Sequence, residues 1–297
     1  MTVAVPEGLS WWAGVPGGAA WLDALPALVA GCARDWSLEL GPPFEPASVS
    51  WVAPVAARDG TPAVLKVNFP EPESEREAGA LAWWGGDGAV RLLAHDPERR
   101  ALLVERCVPG TQLWAVEDDD EATRLAAGVL RRLWRPAPGR HPFRALAAEA
   151  ARWGQQLPAA WSAQGRPCPR ALVDEAVALC AELGASQEHL VVCHQDLHGG
   201  NVLAAGPGRW LAIDPKPVVG EPAFDVASLL RDRRPELLAD PSPLRRVRRR
   251  LDVVCDELGL DRERARGWAL VHAVAWGLSE HAVYPELLAT AALFAEA

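Results

Sequence analysis

One stretch limits the fold of this 297-residue chain more than any other, because it interrupts a region that otherwise reads as helix. Between Leu190 and Asp214, the short apolar runs Leu190 to Cys193 and Trp210 to Ile213 flank a polar loop that contains glycine. Runs this short, bounded by turn residues, suit strands better than helices. Around them, helical spacing predicts helices at Glu121 to Trp134, Phe143 to Gln156, Leu172 to Leu183, Phe224 to Arg231, Pro243 to Leu258, Asp261 to Ser279 and Pro285 to Ala295.

The first hundred residues differ, alternating short strand-like runs with turns. Strands are expected at Ser37 to Leu40, Val49 to Val55, Ala63 to Asn68, Val90 to Leu93 and Ala101 to Glu105, with Asp59 and Gly60 turning a hairpin. Glu73 to Trp84 lacks proline and puts Glu77, Ala80, Leu81 and Trp84 on one helical face. The expected architecture is α+β and bilobal. Residues 1–105 form a small antiparallel sheet lobe with one packed helix, and residues 106–110, broken by Pro109 and Gly110, form a hinge. Residues 111–297 form a larger, mainly helical lobe.

The loop reads His194, Gln195, Asp196, Leu197, His198, Gly199, Gly200, Asn201, with Asp214 ending the next strand. Phosphoryl transfer needs a carboxylate to accept the attacking hydroxyl's proton, and hard oxygen ligands to hold magnesium against phosphates. Asp196 suits the first task; Asn201 and Asp214 suit the second. Asp and Asn in an isolated glycine-rich loop often serve only turn hydrogen bonds, but the following strand that ends in an acid favours the catalytic reading.

Lysine occurs only at Lys66 and Lys216, and asparagine only at Asn68 and Asn201. Lys66 lies in the apolar run Val64 to Val67, where an ammonium needs a partner, and Glu77 on the neighbouring helix can supply one. In a kinase such a pair holds the ammonium against the nucleotide's phosphates. The alternative is an outward-facing strand lysine. Hinge residues Glu105 to Cys107 offer backbone groups to adenine. The turn Gly41 to Val49 would cover the phosphates, with Ser48 contributing an amide or hydroxyl, or would be an ordinary surface hairpin. It lacks the repeated glycines that let amides approach phosphate. Lys216 has two open readings, as a phosphate neutraliser or as a loop-packing residue.

The residues from Val192 to Arg233 resemble the aminoglycoside phosphotransferases, most closely the streptomycin 6-phosphotransferase and hydroxyurea phosphotransferase group. The resemblance rests on His194 to His198 with Asn201, on Ile213-Asp214-Pro215-Lys216-Pro217 and on Gly220-Glu221-Pro222-Ala223-Phe224-Asp225. Val49 to Val55 and Val64 to Val67 look like the same group's first lobe. The resemblance implies a protein-kinase-like fold, ATP and Mg2+ as cosubstrates, and transfer to a hydroxyl of a streptomycin-like antibiotic. By it, Asp196 is the base, Asn201 and Asp214 bind magnesium, Lys66 with Glu77 orients phosphates, and His194 and Asp225 support the catalytic loop. Pro215 and Lys216 replace the phenylalanine and glycine usual in protein kinases, and Gln195 and Leu197 leave no arginine in the loop, so control by activation-segment phosphorylation is not expected.

A net charge of -9 disfavours a nucleic-acid surface and suits a cationic small molecule. The scattered cysteines Cys32, Cys107, Cys168, Cys180, Cys193 and Cys255 suggest free thiols. No apolar run reaches the roughly 18 residues of a membrane span, so the expectation is a cytoplasmic monomer without membrane contact.

Asp232, Glu236, Glu280 and Glu286 are pocket candidates for bound amines. The acidic run Glu117 to Glu121 reads as a solvated helix start, the basic run Arg245 to Arg250 as a solvated helix face, and most of the fourteen tryptophans as core. Two other functional classes remain. His194, Asp196 and His198 could ligate the metal of a hydrolase, and the chain could be a nucleotide-binding pseudoenzyme. Other small-molecule acceptors, including hydroxyurea, peptide antibiotics, sugars and amino alcohols, stay open within the kinase reading.

Overall fold

The structure is a computed structural model that describes residues 3–47, 49–71, 74–279 and 282–297. Chain order begins with helix α1 (Gly18–Asp35), strands β1 (Glu39–Leu40), β2 (Trp51–Ala56) and β3 (Pro62–Val67), helix α2 (Glu77–Trp84), and strands β4 (Leu92–Asp96) and β5 (Ala101–Glu105). The five strands form one antiparallel sheet in the order β1-β2-β3-β5-β4. Period-two alternation sorts β3 between two cores: Ala63, Leu65 and Val67 face α1, while Val64 packs toward the second lobe.

The class expected from the sequence holds, with a second helix on the N-terminal lobe. Helix α1 falls where strands and turns alone were expected. Asp23 and Pro26 interrupt its apolar pattern, yet Trp21, Leu25, Val29 and Cys32 recur at helical spacing and are buried against the sheet. Packing of that stripe outweighs the hydrogen bond lost at Pro26.

The second lobe contains α3 (Asp119–Leu133), β6 (Arg144–Ala145), α4 (Leu146–Ala163), α5 (Arg170–Ala185), β7 (Val191–Cys193), β8 (Val202–Ala204), β9 (Trp210–Ala212), β10 (Val218–Gly220), α6 (Pro222–Asp225), α7 (Ala227–Leu230), α8 (Arg234–Ala239), α9 (Pro243–Leu258), α10 (Arg262–Gly277) and α11 (Pro285–Glu296). β8 and β9 form a hairpin, and β10 lies between β6 and β7. The lobes are stitched together by backbone, Val90 N donating to Ala212 O at 3.0 Å and Ala212 N to Gly88 O at 2.8 Å, and the hinge is tied to the second lobe by Gly110 N donating to Ala204 O at 2.9 Å. Trp84 also crosses, donating to Leu133 O at 3.0 Å and stacking on His194 with centroids 6.1 Å apart.

The acidic and basic runs read as solvated segments meet instead. Asp118 caps α3 by accepting from Glu121 N at 2.8 Å. Asp119 takes two guanidinium forks, from Arg250 at 2.7 and 2.8 Å and from Arg246 at 3.1 and 3.2 Å. Burial works against the Asp119 charge, but the two arginines prevail and hold its carboxyl well below the usual range. A depressed pKa stabilises the fold above the ordinary carboxylate range, and that stabilisation is lost as pH falls through it. Asp119→Asn is therefore expected to cost about 2 kcal/mol at neutral pH, and the gap in melting temperature from the parent should close in acid. A gap that stays constant with pH would refute this.

Candidate active site

The loop after β7 is held by one buried carboxylate. Asp225 accepts from His194 N at 2.9 Å, Gln195 N at 2.6 Å and Trp134 Nε1 at 3.0 Å. Burial raises its pKa and these donors oppose the rise. His194 bridges the two strands around the loop: Nε2–H donates to Ile213 O at 2.8 Å, and Nδ1 accepts from Asp196 N at 3.3 Å. Burial keeps this imidazole neutral by lowering its pKa. Asn201 Nδ2 donates to the Asp196 carbonyl at 2.9 Å, which ties the two loop residues together. Gln195 and Asp214 occupy left-handed backbone at φ 70 and 57, a conformation that costs non-glycine residues roughly 1–3 kcal/mol and concentrates at functional sites.

Lys66 reaches this loop from the opposite lobe. Its Nζ lies 2.8 and 2.9 Å from the Glu77 carboxylate oxygens and 3.0 Å from Asp214 Oδ1. Asn68 Nδ2 donates to Glu77 Oε2 at 2.9 Å and Ser50 Oγ to Asn68 Oδ1 at 2.7 Å, completing a buried polar chain. Burial opposes the ammonium, yet Asp214 and Glu77 more than offset it and push the Lys66 pKa above its ordinary value. Lys66 holds the Asp214 carboxyl below the ordinary range, against the partial desolvation of a side chain that stays 48% exposed.

Other candidates are placed differently. The Glu105 carboxylate binds Arg209 at 2.9 Å and Arg91 N at 3.2 Å, and its own amide donates to Arg91 O at 2.9 Å. It is therefore not a free donor for adenine. Cys107 follows it in the hinge, with its thiol pushed up to about 11 by burial. Ser48 and Glu280 lie outside the described residues. Glu236 and Glu286 are exposed, and Glu286 pairs with Arg234 at 3.9 Å.

Asp232, a pocket candidate if the fold brought it near Asp196, does reach that residue's loop and clamps it. It accepts from Gly199 N at 2.6 Å and Trp114 Nε1 at 2.8 Å. A Cβ at Gly199 would come within 2.5 Å of Trp114, so the glycine is required by the indole lying over it. Sequence reasoning missed Trp114, whose partner lies 118 residues away.

The hydrolase reading fails on geometry. Both His194 nitrogens are engaged, His198 Nδ1 accepts from Gly200 N at 3.1 Å, and the His198 ring stacks on Trp114 at 5.4 Å. Among the described residues, no group of three or more His, Cys, Asp or Glu can hold a metal ion. A hard cation that completes its shell with phosphate and water needs fewer protein ligands. The exposed Asp214 carboxylate and the neighbouring Asn201 amide oxygen fit that requirement.

A sheet lobe that presents a paired lysine to an Asp-Asn-Asp loop of a helical lobe defines a kinase of small-molecule phosphotransferase type. The chain belongs to the aminoglycoside/hydroxyurea antibiotic resistance kinase family, whose model matches residues 38–282. It is 40% identical over 268 residues to a streptomycin 6-kinase of Streptomyces glaucescens, covering 89% of this chain and 86% of that protein. It is 38% identical to the Streptomyces griseus streptomycin 6-kinase (98% and 97% covered) and 36% identical to a Kitasatospora aureofaciens hydroxyurea phosphotransferase (87% and 74% covered).

Among solved structures, an aminoglycoside phosphotransferase mutant in complex with ADP and hygromycin B superposes with TM-score 0.63 at 13% identity, covering 90% of this chain and 96% of that one. The choline kinase LicA of Streptococcus pneumoniae superposes at 0.60 and 11%, with 91% and 98% covered. These two likenesses establish the fold. Among the described residues, no helix is long and apolar enough to cross a membrane.

Proposed function

We propose that the chain transfers the γ-phosphoryl group of ATP to a hydroxyl of a streptomycin-like aminoglycoside, and so confers resistance. The observation that carries this reading is the Lys66 ammonium, held between Glu77 of its own lobe and Asp214 of the lobe that carries Asp196. Asp196 takes the proton as the acceptor oxygen bonds to phosphorus and the bond from phosphorus to the ADP oxygen breaks. Asn201 and Asp214 would hold Mg2+, which would supply positive charge to offset that of the phosphates. Lys66 orients the phosphates, while Asp225 and His194 keep the loop rigid. The hinge near Cys107 receives adenine. The enzyme acts in the cytoplasm, where ATP is supplied, as a monomer on a cationic antibiotic.

The test is ATP consumption with streptomycin, other aminoglycosides, hydroxyurea and viomycin-like peptides, followed by mass analysis. Streptomycin should release ADP and gain one phosphoryl group. Turnover of hydroxyurea alone would reassign the acceptor, and failure of the whole panel to release ADP would favour a pseudoenzyme.

A further inference from the structure

The Asp196 carboxylate is approached from inside the helical lobe by buried groups outside the phosphoryl-transfer constellation. Ser228, on α7, places Oγ 3.0 Å from the Gln195 carbonyl and 3.4 Å from Asp196 Oδ1. Arg231 lies just past the end of α7 and donates from Nη1 to Ser228 Oγ at 3.1 Å and to His272 Nδ1 at 2.9 Å. Arginine is a donor only, so its bond occupies a lone pair of the serine oxygen and leaves the single hydroxyl proton to be shared between Gln195 O at 3.0 Å and Asp196 Oδ1 at 3.4 Å. His272 must then be the Nε2–H tautomer. Burial and the Arg231 charge keep this imidazole neutral.

A guanidinium only 2% exposed is expensive without compensation. Among the described residues Arg231 has no carboxylate within ion-pair distance; its Cζ lies 5.1 Å from the Trp276 ring centroid instead. Lys216 Nζ lies 4.8 Å from the same centroid and 3.6 Å from Asp196 Oδ2. The two carboxylate oxygens of Asp196 thus meet different arms of one cluster: Ser228 with Arg231 at Oδ1, and Lys216 at Oδ2. Trp276 sets the spacing between the two cations.

We propose that Ser228 and Arg231 are positioning residues: Arg231, anchored by His272, fixes the Ser228 hydroxyl so that Asp196 keeps one orientation toward the acceptor hydroxyl. The proposal rests on Asp196 being the base. Misplacing a reacting group by about 1 Å can cost on the order of 10²-fold in rate. Ser228→Ala should therefore lower kcat by about tenfold or more, with KM for ATP and streptomycin within about twofold of the parent. Ser228→Thr keeps the hydroxyl and should restore much of the loss. Arg231→Met should act in the same sense, and the double variant should be no slower than the slower single one, because the pair works as a unit.

Unchanged kcat in Ser228→Ala, losses that multiply in the double variant, or a Thr variant as slow as the Ala variant at the parent melting temperature would each overturn the proposal. If Arg231→Met does not fold, the Ser228 variants alone decide the matter. Asp196→Ala measured alongside separates the two ideas. Full activity there removes the base itself, whereas loss there with none in Ser228→Ala removes only the positioning role.

Discussion

Asp196→Ala should lower kcat by about 10²–10⁴-fold, the range a positioned general base contributes, while ATP binds with nearly the parent affinity. The separation follows from where the side chains lie. Asp196 contacts Lys216, Ser228 and the loop backbone, whereas the polar chain proposed to receive the nucleotide runs through Ser50, Asn68, Glu77, Lys66 and Asp214. No side-chain hydrogen bond or ion pair links Asp196 to that chain among the described residues. Titration calorimetry with ATP and a coupled ADP-release assay with streptomycin measure the two quantities independently. Undiminished turnover would remove Asp196 from the chemistry; lost ATP affinity would show that the loop also builds the nucleotide site.

The parts of this site that were legible in the sequence are those whose geometry is local. His194 to Asn201 is a continuous loop between two short strands, so its spacing alone brings Asp196 and Asn201 together. Lys66 and Glu77 were legible for a related reason: a charge inside an apolar strand and an acid on the core face of a nearby helix each need the other. Scarcity of lysine and asparagine sharpened both readings.

Pairings across the chain were not legible. Asp119 and Arg250 are 131 residues apart, and each sits in a run that looks solvated when viewed alone. Asp232 could not be placed from sequence because nothing in its neighbourhood names Trp114 or the Gly199 amide as its partners. Ser228 and Arg231 fall in the stretch expected as one helix, Phe224 to Arg231, which the structure divides into α6 and α7 with Arg231 just beyond; periodicity does not say that this stretch meets the loop that carries Asp196. Helix α1 had the apolar spacing needed to find it, and the proline within it obscured the signal.

Lys66→Met should damage stability and catalysis together, and a second substitution should pull the two apart. Lys66 and Glu77 are 7% and 3% exposed, so deleting the ammonium leaves Glu77 buried beside Asp214 without its counter-charge. Breaking such a pair costs about 3–5 kcal/mol, which for a chain of this size is a fall of roughly 10 °C in melting temperature. Loss of the cation proposed to hold the phosphates should also lower kcat/KM for ATP by about 10²–10³-fold.

In Lys66→Met/Glu77→Gln the stranded charge is gone, and a glutamine oxygen can still accept from Asn68 Nδ2, as Glu77 Oε2 does at 2.9 Å. Most of the melting temperature should return, because only the uncompensated charge made the single variant unstable. Turnover should not return, because no ammonium faces the phosphates. Recovery of both would reduce the pair to a structural ion pair. Recovery of neither would mean that Lys66 also holds the lobes together through Asp214, which its ammonium contacts from the opposite lobe.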